Sequence, residues 1–420
     1  MKAVILAGGL GTRMGNFCNS LPKPMLPISG KPVLEHQLQA LKKEGITEFV
    51  FVVGYLGEKI EEYFKDGSRF GVSISYFHEK EPLGTAGALF ELEIKEDFLL
   101  CNGDLIFNFS LDAMADFHKK NNALATLFTH PNSHPYDSTL VCTDEADRVT
   151  DFLKPDRKCR DAQNLCNAGI QIISPELLSM YEGRGNKNLD RDVILPSLET
   201  GRVYSYKSFE YVKDMGTPER IAAVERDINE GIVSAWHRDK KQKAIFLDRD
   251  GTVNVHKGYI TDPDDIELIS NAAKAIAGFK AMGYHTIIVT NQPVIARGDC
   301  DENRLKEIHN RLEALLGEEG AYVDAIYYCP HHPDKGFENE IPELKVPCDC
   351  RKPSPGLLMR ARDDFNIDTS QSFMIGDSVR DIQAGINAGC TPVLLAEKAD
   401  DIYRDVSCYN SLSDFYKAMK

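Results

Sequence analysis

The 420-residue sequence is poor in three features, each of which would have indicated a particular class of protein. It has no run approaching the roughly 20 apolar residues that span a bilayer, so we expect no membrane segment and no membrane partner. It has 49 basic against 64 acidic side chains, a net charge of −15, and nucleic-acid binding needs clustered Lys and Arg instead. Its 11 cysteines are too sparse, and odd in number, for a fully paired disulfide scaffold.

The first apolar run is also too short for an export signal. It ends at Gly8 and Gly9, and no cleavage site follows. Together with the sparse cysteines, this favours a reducing cytoplasm as the compartment in which the protein works.

The composition that is present is that of a globular protein with more than one core. Hydrophobic residues make up 42 % of the chain and charged residues 27 %, and the length suits two domains or three. Two apolar stretches, residues 3–7 and 244–247, each run into a loop rich in Gly or Asp, as buried parallel strands do. We therefore predict an α/β fold with two domains, residues 1–235 and 236–420, each a mainly parallel sheet flanked by helices.

Hydrophobic periodicity places the main elements within these domains. Leu34, Leu38 and Leu41 recur at helical spacing, and Gly45 suits the position just after the helix. In the second half, Asn271 is expected to cap a helix. Further expected elements are strands at residues 49–53, 98–101, 286–290 and 372–376, and a helix whose apolar face carries Leu305, Ile308, Leu312 and Leu315.

A glycine-rich loop follows the first strand. Gly8, Gly9 and Gly11 let backbone N–H groups approach a phosphate chain, Thr12 lies in the same loop, and Arg13 adds positive charge. The next glycine comes one residue late for the dinucleotide-binding fingerprint, and the Gly-Lys-Ser/Thr of a Walker A loop is missing. Taken alone, the loop is equally compatible with a tight turn that binds nothing.

Five further segments, which follow in a fixed order, narrow the interpretation of this loop. After it come Leu-Pro-Lys-Pro-Met at 21–25, Glu-Pro-Leu-Gly-Thr-Ala at 81–86, Asn-Gly-Asp at 102–104, Asn-Ala-Gly-Ile at 167–170 and Asp-Met-Gly-Thr-Pro at 214–218. Over residues 1–228 this series resembles the sugar-1-phosphate nucleotidyltransferase family, which implies a Rossmann-like fold. In that reaction a sugar-1-phosphate oxygen attacks the α-phosphorus of a nucleoside triphosphate and expels pyrophosphate, and catalysis is positioning plus charge neutralisation.

The resemblance implies a role for each matching residue. Asp104 and Asp214 would hold Mg²⁺, a hard cation suited to carboxylates, while Arg13 and Lys23 would offset phosphate charge. The remaining substrate contacts would come from Gly84 and Thr85 beside the base, Asn102, Asn167 beside the sugar, and Lys154 at the sugar phosphate. Leu153 stands where the family usually has a Glu, which weakens the assignment of Lys154.

The second half carries a pair of carboxylates at the end of its first strand. Asp248 and Asp250, in Asp-Arg-Asp-Gly-Thr, are followed in order by Thr290, Lys352 and Asp377, with Asp381 after it, a series that resembles the haloacid-dehalogenase-like phosphatases. The resemblance implies that Asp248 attacks phosphorus and that Asp250 acts as general acid and base. Mg²⁺ would be held by Asp248, Asp377 and the carbonyl of Asp250, and Thr290 and Lys352 would contact the phosphate. A phosphotransferase or mutase of the same superfamily remains open.

Three cysteines and a histidine lie close together in the same half. Cys329, His331, Cys348 and Cys350 make a closed tetrahedral set for Zn²⁺ with no position left for water, which favours a structural zinc. Cys300 and His332 are less well spaced.

The zinc loop narrows the second resemblance. With residues 255–259 and 291–298 it resembles the D-glycero-D-manno-heptose 1,7-bisphosphate phosphatases over residues 243–415, and histidinol-phosphate phosphatases are the nearest competitor. The resemblance implies substrate contacts from His256, Lys257, Gly258, Tyr259, Asn291, Gln292 and Arg351. Pro293 and Val294 replace the usual Ser-Gly, which puts phosphate binding at that point in doubt.

Read together, the two halves fit as successive steps. A 7-phosphatase would leave a heptose 1-phosphate, the class of substrate that the first half consumes, so we expect a bifunctional enzyme making a nucleotide-activated heptose for bacterial surface polysaccharide. Family analogy favours GTP as the nucleotide. The alternatives are a hexose (mannose or glucose) 1-phosphate nucleotidyltransferase fused to a histidinol-phosphate-like phosphatase, and a chain in which one half is a non-catalytic regulatory module. A homo-oligomer remains open.

Overall fold

A computed structural model describes residues 1–9, 21–154, 162–183, 185–397 and 405–420. The chain forms two compact units. The first comprises Met1–His130, Val141–Phe152 and Asn167–His237, and the second comprises Pro131–Leu140, Leu153–Cys166 and Arg238–Lys420. The domain ranges expected from the sequence, 1–235 and 236–420, stay a prediction. No helix within the described ranges is long and apolar enough to cross a membrane.

Thirteen strands are described up to residue 237. They are β1 (Ala3–Leu6), β2 (Pro27–Ile28), β3 (Lys31–Pro32), β4 (Glu48–Val53), β5 (Ser73–His78), β6 (Phe98–Asn102), β7 (Leu105–Asn108), β8 (Ala125–His130), β9 (Leu140–Thr143), β10 (Val149–Leu153), β11 (Cys166–Ile173), β12 (Val203–Lys207) and β13 (Tyr211–Asp214).

Helices alternate with these strands. They are α1 (Val33–Lys43), α2 (Gly57–Phe64), α3 (Leu111–Lys120), α4 (Pro175–Ser179), a π-helical turn at Asp190–Ile194 that leads into α5 (Leu195–Ser197), α6 (Pro218–Asn229) and α7 (Ile232–Ala235). The helix expected from Leu34, Leu38 and Leu41 is confirmed as α1, and these three leucines are fully buried on its inner face. Gly45 follows the helix at a φ of +86°, the left-handed conformation that glycine adopts without strain.

Nine of these strands form one sheet. Its main path runs β10-β9-β11-β6-β1-β4-β5, with β8 beside β11 and β12 beside β8. The central strand β1 pairs in parallel with β4 and β6, and Ala3, Val4 and Ile5 are fully buried. Because β1 and β6 run side by side in one direction, their carboxyl ends meet at the same edge of the sheet. The loops that leave this edge carry the glycine-rich segment and the Asn-Gly-Asp segment.

The second unit is built on a sheet in which every recorded strand pair is parallel. Its strands, in spatial order β16-β15-β14-β17-β18-β19, are β14 (Ala244–Leu247), β15 (His285–Asn291), β16 (Ala325–Cys329), β17 (Phe373–Gly376), β18 (Thr391–Leu395) and β19 (Ser407–Tyr409). Its helices are α8 (Ala272–Ala281), α9 (Glu302–Glu318), α10 (Gly356–Phe365), α11 (Val379–Ala388) and α12 (Leu412–Met419). The predicted α/β class, with large mainly parallel sheets flanked by helices, is therefore confirmed.

Two details of the predicted helices differ from the structure. Asn271 precedes α8, but the predicted cap is wrong, because Asn271 has a φ of +63° in the left-handed region and its side chain forms no capping hydrogen bond. The buried face of α9 uses Leu316 instead of Leu315, which is only partly buried. Both differences concern local geometry that apolar spacing alone does not define.

Candidate functional site

The first unit contains a cavity of about 730 Å³ at the carboxyl ends of its central parallel strands. Residues from the ends of β1, β4 and β6 contribute to its wall. Eight of the residues predicted from sequence line it: Gly8, Gly9, Lys23, Gly84, Thr85, Asn102, Asp104 and Asp214. The predicted Gly11, Thr12 and Arg13 lie outside the described residues.

Each of the two aspartates predicted to bind metal forms an ion pair with a basic side chain. The Lys23 ammonium forms an ion pair with Asp104, and the Arg220 guanidinium lies 2.8 and 3.1 Å from the two oxygens of Asp214. Strand β13 pairs antiparallel with β7, and the Met215 N–H donates to the Asp104 carbonyl (3.0 Å), so these acids stand at adjacent strand ends. The site thus presents two carboxylates to the cavity, the donor type that Mg²⁺ prefers. Sequence reasoning missed Arg220, which lies four residues after Gly216.

The loop that leads from Pro82 to Ala86 is fixed by hydrogen bonds. The Thr85 hydroxyl accepts the Leu189 N–H (2.8 Å), and the Ala86 N–H donates to the Lys187 carbonyl (2.9 Å). Gly84 has a φ of +75°. Thr85 therefore holds the shape of the cavity wall with its hydroxyl.

Glu79 is a wall residue that sequence reasoning did not identify. One carboxylate oxygen accepts the Leu83 N–H (3.1 Å), and the other lies so close to Gly8 that a Cβ there would sit 2.3 Å from it. Burial raises the pKa of Glu79 above its usual range. The only signal in the sequence was its place two residues before Glu81, at the start of the Glu-Pro-Leu-Gly-Thr-Ala segment.

Two predicted sugar-side residues do not line the cavity. The Asn167 amide nitrogen donates to Asp190 (3.3 Å), and its oxygen accepts the Gly169 N–H and the Gln171 amide. Lys154 is exposed and belongs to the second unit. Their predicted contacts with the sugar stay predictions.

In the second unit, Asp248 lies at the carboxyl end of β14. Its N–H donates to the Ile375 carbonyl (2.9 Å), and one carboxylate oxygen lies 2.7 Å from the Lys352 ammonium. The same ammonium lies 2.6 Å from Asp381, so one buried cation holds two carboxylates. Burial and the Asp381 charge raise the pKa of Asp248 to about 6, although Lys352 opposes this shift. A buried lysine thus lies between two carboxylates at the carboxyl end of β14.

Three carboxylates meet at this position. Oxygens of Asp248, Asp377 and Asp381 lie within 4.8 Å of one another, a group that could hold a metal ion. Gly251 has a φ of +80°, and a Cβ there would lie 1.9 Å from Asp377, so only glycine allows the loop to pass so close. The metal set predicted from sequence included Asp250 through its carbonyl. The structure adds the Asp381 side chain to the carboxylate group, and Asp250 as a ligand stays a prediction.

The Asp250 carboxylate receives four side-chain donors. Arg249 donates through Nε (3.1 Å) and Nη2 (2.9 Å), Asn254 donates to the other oxygen (2.9 Å), and Gln292 donates at 3.0 Å. The Gln292 amide also lies 2.9 Å from the Thr290 hydroxyl. The structure therefore brings the predicted Asp250, Thr290 and Gln292 together. Arg249 and Asn254 were missed, although Arg249 stands between the two predicted aspartates.

Hydrogen bonds to the backbone of Lys352 also hold this residue in place. The Lys352 N–H donates to the Asn291 side-chain oxygen (3.0 Å), and the Asn291 amide nitrogen donates to the Lys352 carbonyl (3.1 Å). Asn291 is thus placed beside the site by its contact with the lysine.

The remaining predicted substrate residues lie on two loops. Lys257 forms an ion pair with Glu267 (2.9 Å), and the exposed Tyr259 ring stacks 4.3 Å from the Arg297 guanidinium. Gly258 between them has a φ of +83°. The pKa of Asp377 is raised by burial and by Asp381, while the charges of His256 and Lys352 lower it, which places His256 within electrostatic reach of the carboxylates. The Arg351 guanidinium donates to the His331 carbonyl (3.1 Å), and burial lowers its pKa.

The predicted zinc ligands form one group. The Cys350 sulfur lies 3.2 Å from Cys329, 3.3 Å from Cys348 and 3.3 Å from the Nδ1 of His331, and all four donor atoms fall within 4.8 Å. Three sulfurs and one imidazole nitrogen are thus gathered closely enough to surround a single ion, and this donor set suits Zn²⁺. Burial raises the pKa of Cys350 to about 11, a cost that bound metal would remove by stabilising the thiolate. Cys300 and His332 do not belong to the group.

Comparison with protein families gives two matches. The nucleotidyl transferase model matches residues 2–231, more than half of the chain, and the HAD-hydrolase-like model matches residues 349–403.

Individual relatives cover the second half. D-glycero-β-D-manno-heptose-1,7-bisphosphate 7-phosphatase from Photorhabdus laumondii is 40 % identical over 182 residues, which are 42 % of this chain and 95 % of that protein. The phosphatase of the same name from Escherichia coli K12 is 38 % identical over 186 residues, 43 % of this chain and 95 % of that protein. A solved structure of HddC from Yersinia pseudotuberculosis is similar at 24 % identity and a TM-score of 0.47, over 54 % of this chain and 99 % of HddC.

Proposed function

This chain belongs to the nucleotidyl transferase family and, over its second half, to the D-glycero-β-D-manno-heptose-1,7-bisphosphate 7-phosphatase family, and from that premise we propose a two-step function. The chain is a nucleotidyltransferase and a phosphatase. The second unit removes the 7-phosphate of a heptose 1,7-bisphosphate. The first unit then transfers a nucleotidyl group to the heptose 1-phosphate and releases pyrophosphate. The product is a nucleotide-activated heptose for surface polysaccharide.

The observation that carries this proposal is the near-complete match to the phosphatases combined with the contacts around Asp248. The match covers 95 % of the relative's length, and the buried Lys352 holds Asp248 beside Asp381. A phosphatase that leaves a sugar 1-phosphate supplies the class of substrate that a sugar-1-phosphate nucleotidyltransferase consumes. The two activities therefore form one sequence of reactions.

In the phosphatase unit, Asp248 is the nucleophile. Its carboxylate attacks phosphorus, and the Lys352 ammonium offsets charge on the phosphoryl oxygens. Asp250 gives a proton to the leaving sugar oxygen and later takes one from the hydrolytic water. Asp248, Asp377 and Asp381 are the carboxylates that would hold Mg²⁺, which neutralises phosphoryl charge when bound. Cys329, His331, Cys348 and Cys350 would hold a structural Zn²⁺.

In the nucleotidyltransferase unit, positioning does most of the work. Asp104 and Asp214 would hold Mg²⁺ at the mouth of the cavity, and Lys23 and Arg13 would offset phosphate charge. Gly8, Gly9 and the loop at 81–86 would border the nucleotide. The cavity of about 730 Å³ has room for a ligand of this size.

Glu79 supports GTP as the nucleotide. Guanine presents two neighbouring N–H donors on its pairing edge, and a carboxylate accepts both, whereas adenine, cytosine and uracil do not present that pair. The Glu79 oxygen that faces Gly8 is on the cavity wall and is free of the Leu83 hydrogen bond.

The base is tested by Glu79→Gln in an assay of pyrophosphate release with GTP, ATP, CTP, UTP and dTTP. We expect the wild type to prefer GTP and Glu79→Gln to lose about 10–100-fold in that preference, the worth of a bidentate contact to a base. Glu58→Gln, an exposed position on α2 outside the cavity lining, is the control and should keep the preference. Equal use of all five nucleotides by the wild type would contradict the assignment.

The reaction sequence is tested on the unmodified protein. Heptose 1,7-bisphosphate, GTP and Mg²⁺ should yield both phosphate and pyrophosphate, and GTP alone should yield neither. Pyrophosphate release from mannose 1-phosphate but not from heptose 1-phosphate would overturn the proposed pathway and leave a hexose 1-phosphate nucleotidyltransferase.

A further inference from the structure

Arg249 is a buried cation that the proposed mechanism does not use. Its side chain is 1 % exposed, although arginine is almost always found at the surface unless it is paired. It lies between the two aspartates of the phosphatase site, and its guanidinium reaches back to the second of them. A buried arginine beside a reacting carboxylate calls for a physical explanation.

The contact between Arg249 and Asp250 has a fixed geometry. Nε lies 3.1 Å from one carboxylate oxygen, and Nη2 lies 2.9 Å from the same oxygen and 3.1 Å from the other. The loop that carries both residues is closed by the Gly251 N–H to the Asn254 carbonyl (2.7 Å) and the Asn254 N–H to the Arg249 carbonyl (3.0 Å). A planar guanidinium on a closed loop fixes the direction of the carboxylate as well as its position.

The other side chains described around Asp250 do not add a second positive charge to that of the Arg249 guanidinium. His309 on α9 is buried nearby, and its pKa lies well below the usual value because of burial and the Arg249 charge, so its ring adds no second cation. Asn254 and Gln292 complete the donors to Asp250, and both are neutral. Arg249 is thus the charged group among the donors that orient this carboxylate.

Resting on the proposed phosphatase function, we propose that Arg249 is a positioning residue that acts through Asp250. In the first step an Asp248 oxygen forms a bond to phosphorus and the bond from phosphorus to the sugar oxygen breaks. That oxygen takes the proton of Asp250, which becomes a carboxylate. Arg249 holds this carboxylate and lies against the negative charge that develops on it.

The second step returns the proton. A water oxygen forms a bond to phosphorus, the bond to Asp248 breaks, and Asp250 takes one proton from the water as inorganic phosphate leaves. Asp250 must keep one orientation through both transfers, because a misplacement of about 1 Å can cost on the order of 100-fold in rate. The Arg249 contacts supply that constraint.

The experiment uses the full chain and compares two substrates that differ in their need for an acid. A sugar phosphate has a poor leaving group that needs the proton of Asp250, whereas p-nitrophenyl phosphate has a good one that does not. Arg249→Lys keeps the charge and loses the planar fork. We expect it to slow release of the dephosphorylated sugar in a single turnover by about 10–100-fold, and release of p-nitrophenol by only a few-fold.

A double-mutant cycle separates positioning from a structural role. If Arg249 acts through Asp250, Arg249→Lys combined with Asp250→Asn should be no slower than Asp250→Asn alone. Arg360→Lys, an exposed arginine of the same unit, is the matched control and should leave both rates unchanged. Arg249→Gln, with unfolding followed by circular dichroism, serves if Arg249→Lys does not fold.

Several results would overturn the proposal. Equal losses on the two substrates, or losses that add in the double variant, would mean that Arg249 only stabilises the fold. Wild-type rates for Arg249→Lys would mean that the fork is dispensable. Failure of the proposed function itself looks different, because Asp248→Asn would then retain phosphatase activity.

Discussion

The two candidate sites use the same place in the sheet and differ in how much water reaches them. Both lie where parallel strands end, and both pair a lysine with an aspartate. In the first unit the side chains of Lys23 and Asp104 are 14 % and 32 % exposed on an open cavity. In the second unit Lys352 is 2 % exposed and Asp248 15 %. A large triphosphate needs space and alignment, whereas attack by a carboxylate needs a dry, charge-balanced position.

The difference in burial also sets the energetics of each ion pair. A solvated pair contributes about 0–1 kcal/mol, because water solvates either charge well when the partner is lost. A buried pair is different, because loss of one partner leaves an uncompensated charge that costs several kcal/mol. Lys352 is the extreme case, since it balances Asp248 and Asp381 together. The same residue pair is therefore a local contact in one unit and a structural requirement in the other.

The largest expected effect separates the two chemistries. Asp248→Asn should lower phosphate release by about 10³-fold or more, because it removes the proposed nucleophile, and should leave pyrophosphate release at the wild-type rate. Asp104→Asn should do the reverse, with a loss of roughly 10²-fold, because it removes a proposed metal carboxylate. Both rates are measured on the same preparations. Loss of both activities in either variant would break the comparison by making the sites interdependent.

The next effect concerns stability. Lys352→Met should destabilise the second unit by about 3–5 kcal/mol, because two buried carboxylates lose their shared cation. Lys23→Met, the matched change in the first unit, should cost less, about 1–2 kcal/mol, because water reaches the remaining Asp104 carboxylate, which is 32 % exposed. Urea unfolding followed by circular dichroism measures both. Equal costs would show that burial does not distinguish the two pairs.

The smallest expected effect concerns a buried acid that, unlike Asp248, has no lysine ion pair among the described residues. Glu313 on α9 is buried and accepts the Asn164 N–H (2.9 Å), and burial raises its pKa to about 7. A folded-state pKa above the unfolded value of about 4.3 stabilises the protein fully below that value, and this contribution is lost as pH rises towards 7. At pH 8 the loss is about 3–4 kcal/mol, and Glu313→Gln should remove it.

The measurement is the urea midpoint of the second unit between pH 4.5 and pH 8. The control is Glu318→Gln, an exposed position on the same helix, which should follow the wild type. A midpoint of Glu313→Gln that falls in parallel with the wild type would contradict the assignment.

Sequence alone predicted the elements whose pattern is repetitive. The apolar runs of β1, β14 and β17 and the leucine spacing of α1 are local signals that the structure reproduces. The order of motifs predicted which loops meet, since parallel strands bring their carboxyl ends to one edge. Eight predicted residues accordingly line the first cavity.

The rest depended on contacts that no local pattern encodes. Glu79 and Arg220 reach their sites through folding of distant segments, and the Asn167 side chain bonds to Asp190, outside the cavity lining. Arg249 was visible between two predicted aspartates, but only burial and the fork onto Asp250 distinguish it from a surface arginine. Motifs locate side chains along the chain, while their partners follow from tertiary packing.

The hydrogen bond from the Asp248 N–H to the Ile375 carbonyl has a consequence for how the protein is made. Strand β14 lies between β15 and β17, but β17 (Phe373–Gly376) comes after β15 and β16 in the sequence. A nascent chain that stops before β17 contains Asp248 and cannot hold it in place. Parallel pairing between strands that are far apart in sequence forms slowly, because the entropic cost of closing the intervening loop comes before the contact can stabilise it. Phosphatase activity should therefore appear only after β17 has been synthesised, well after Asp248 itself has joined the chain.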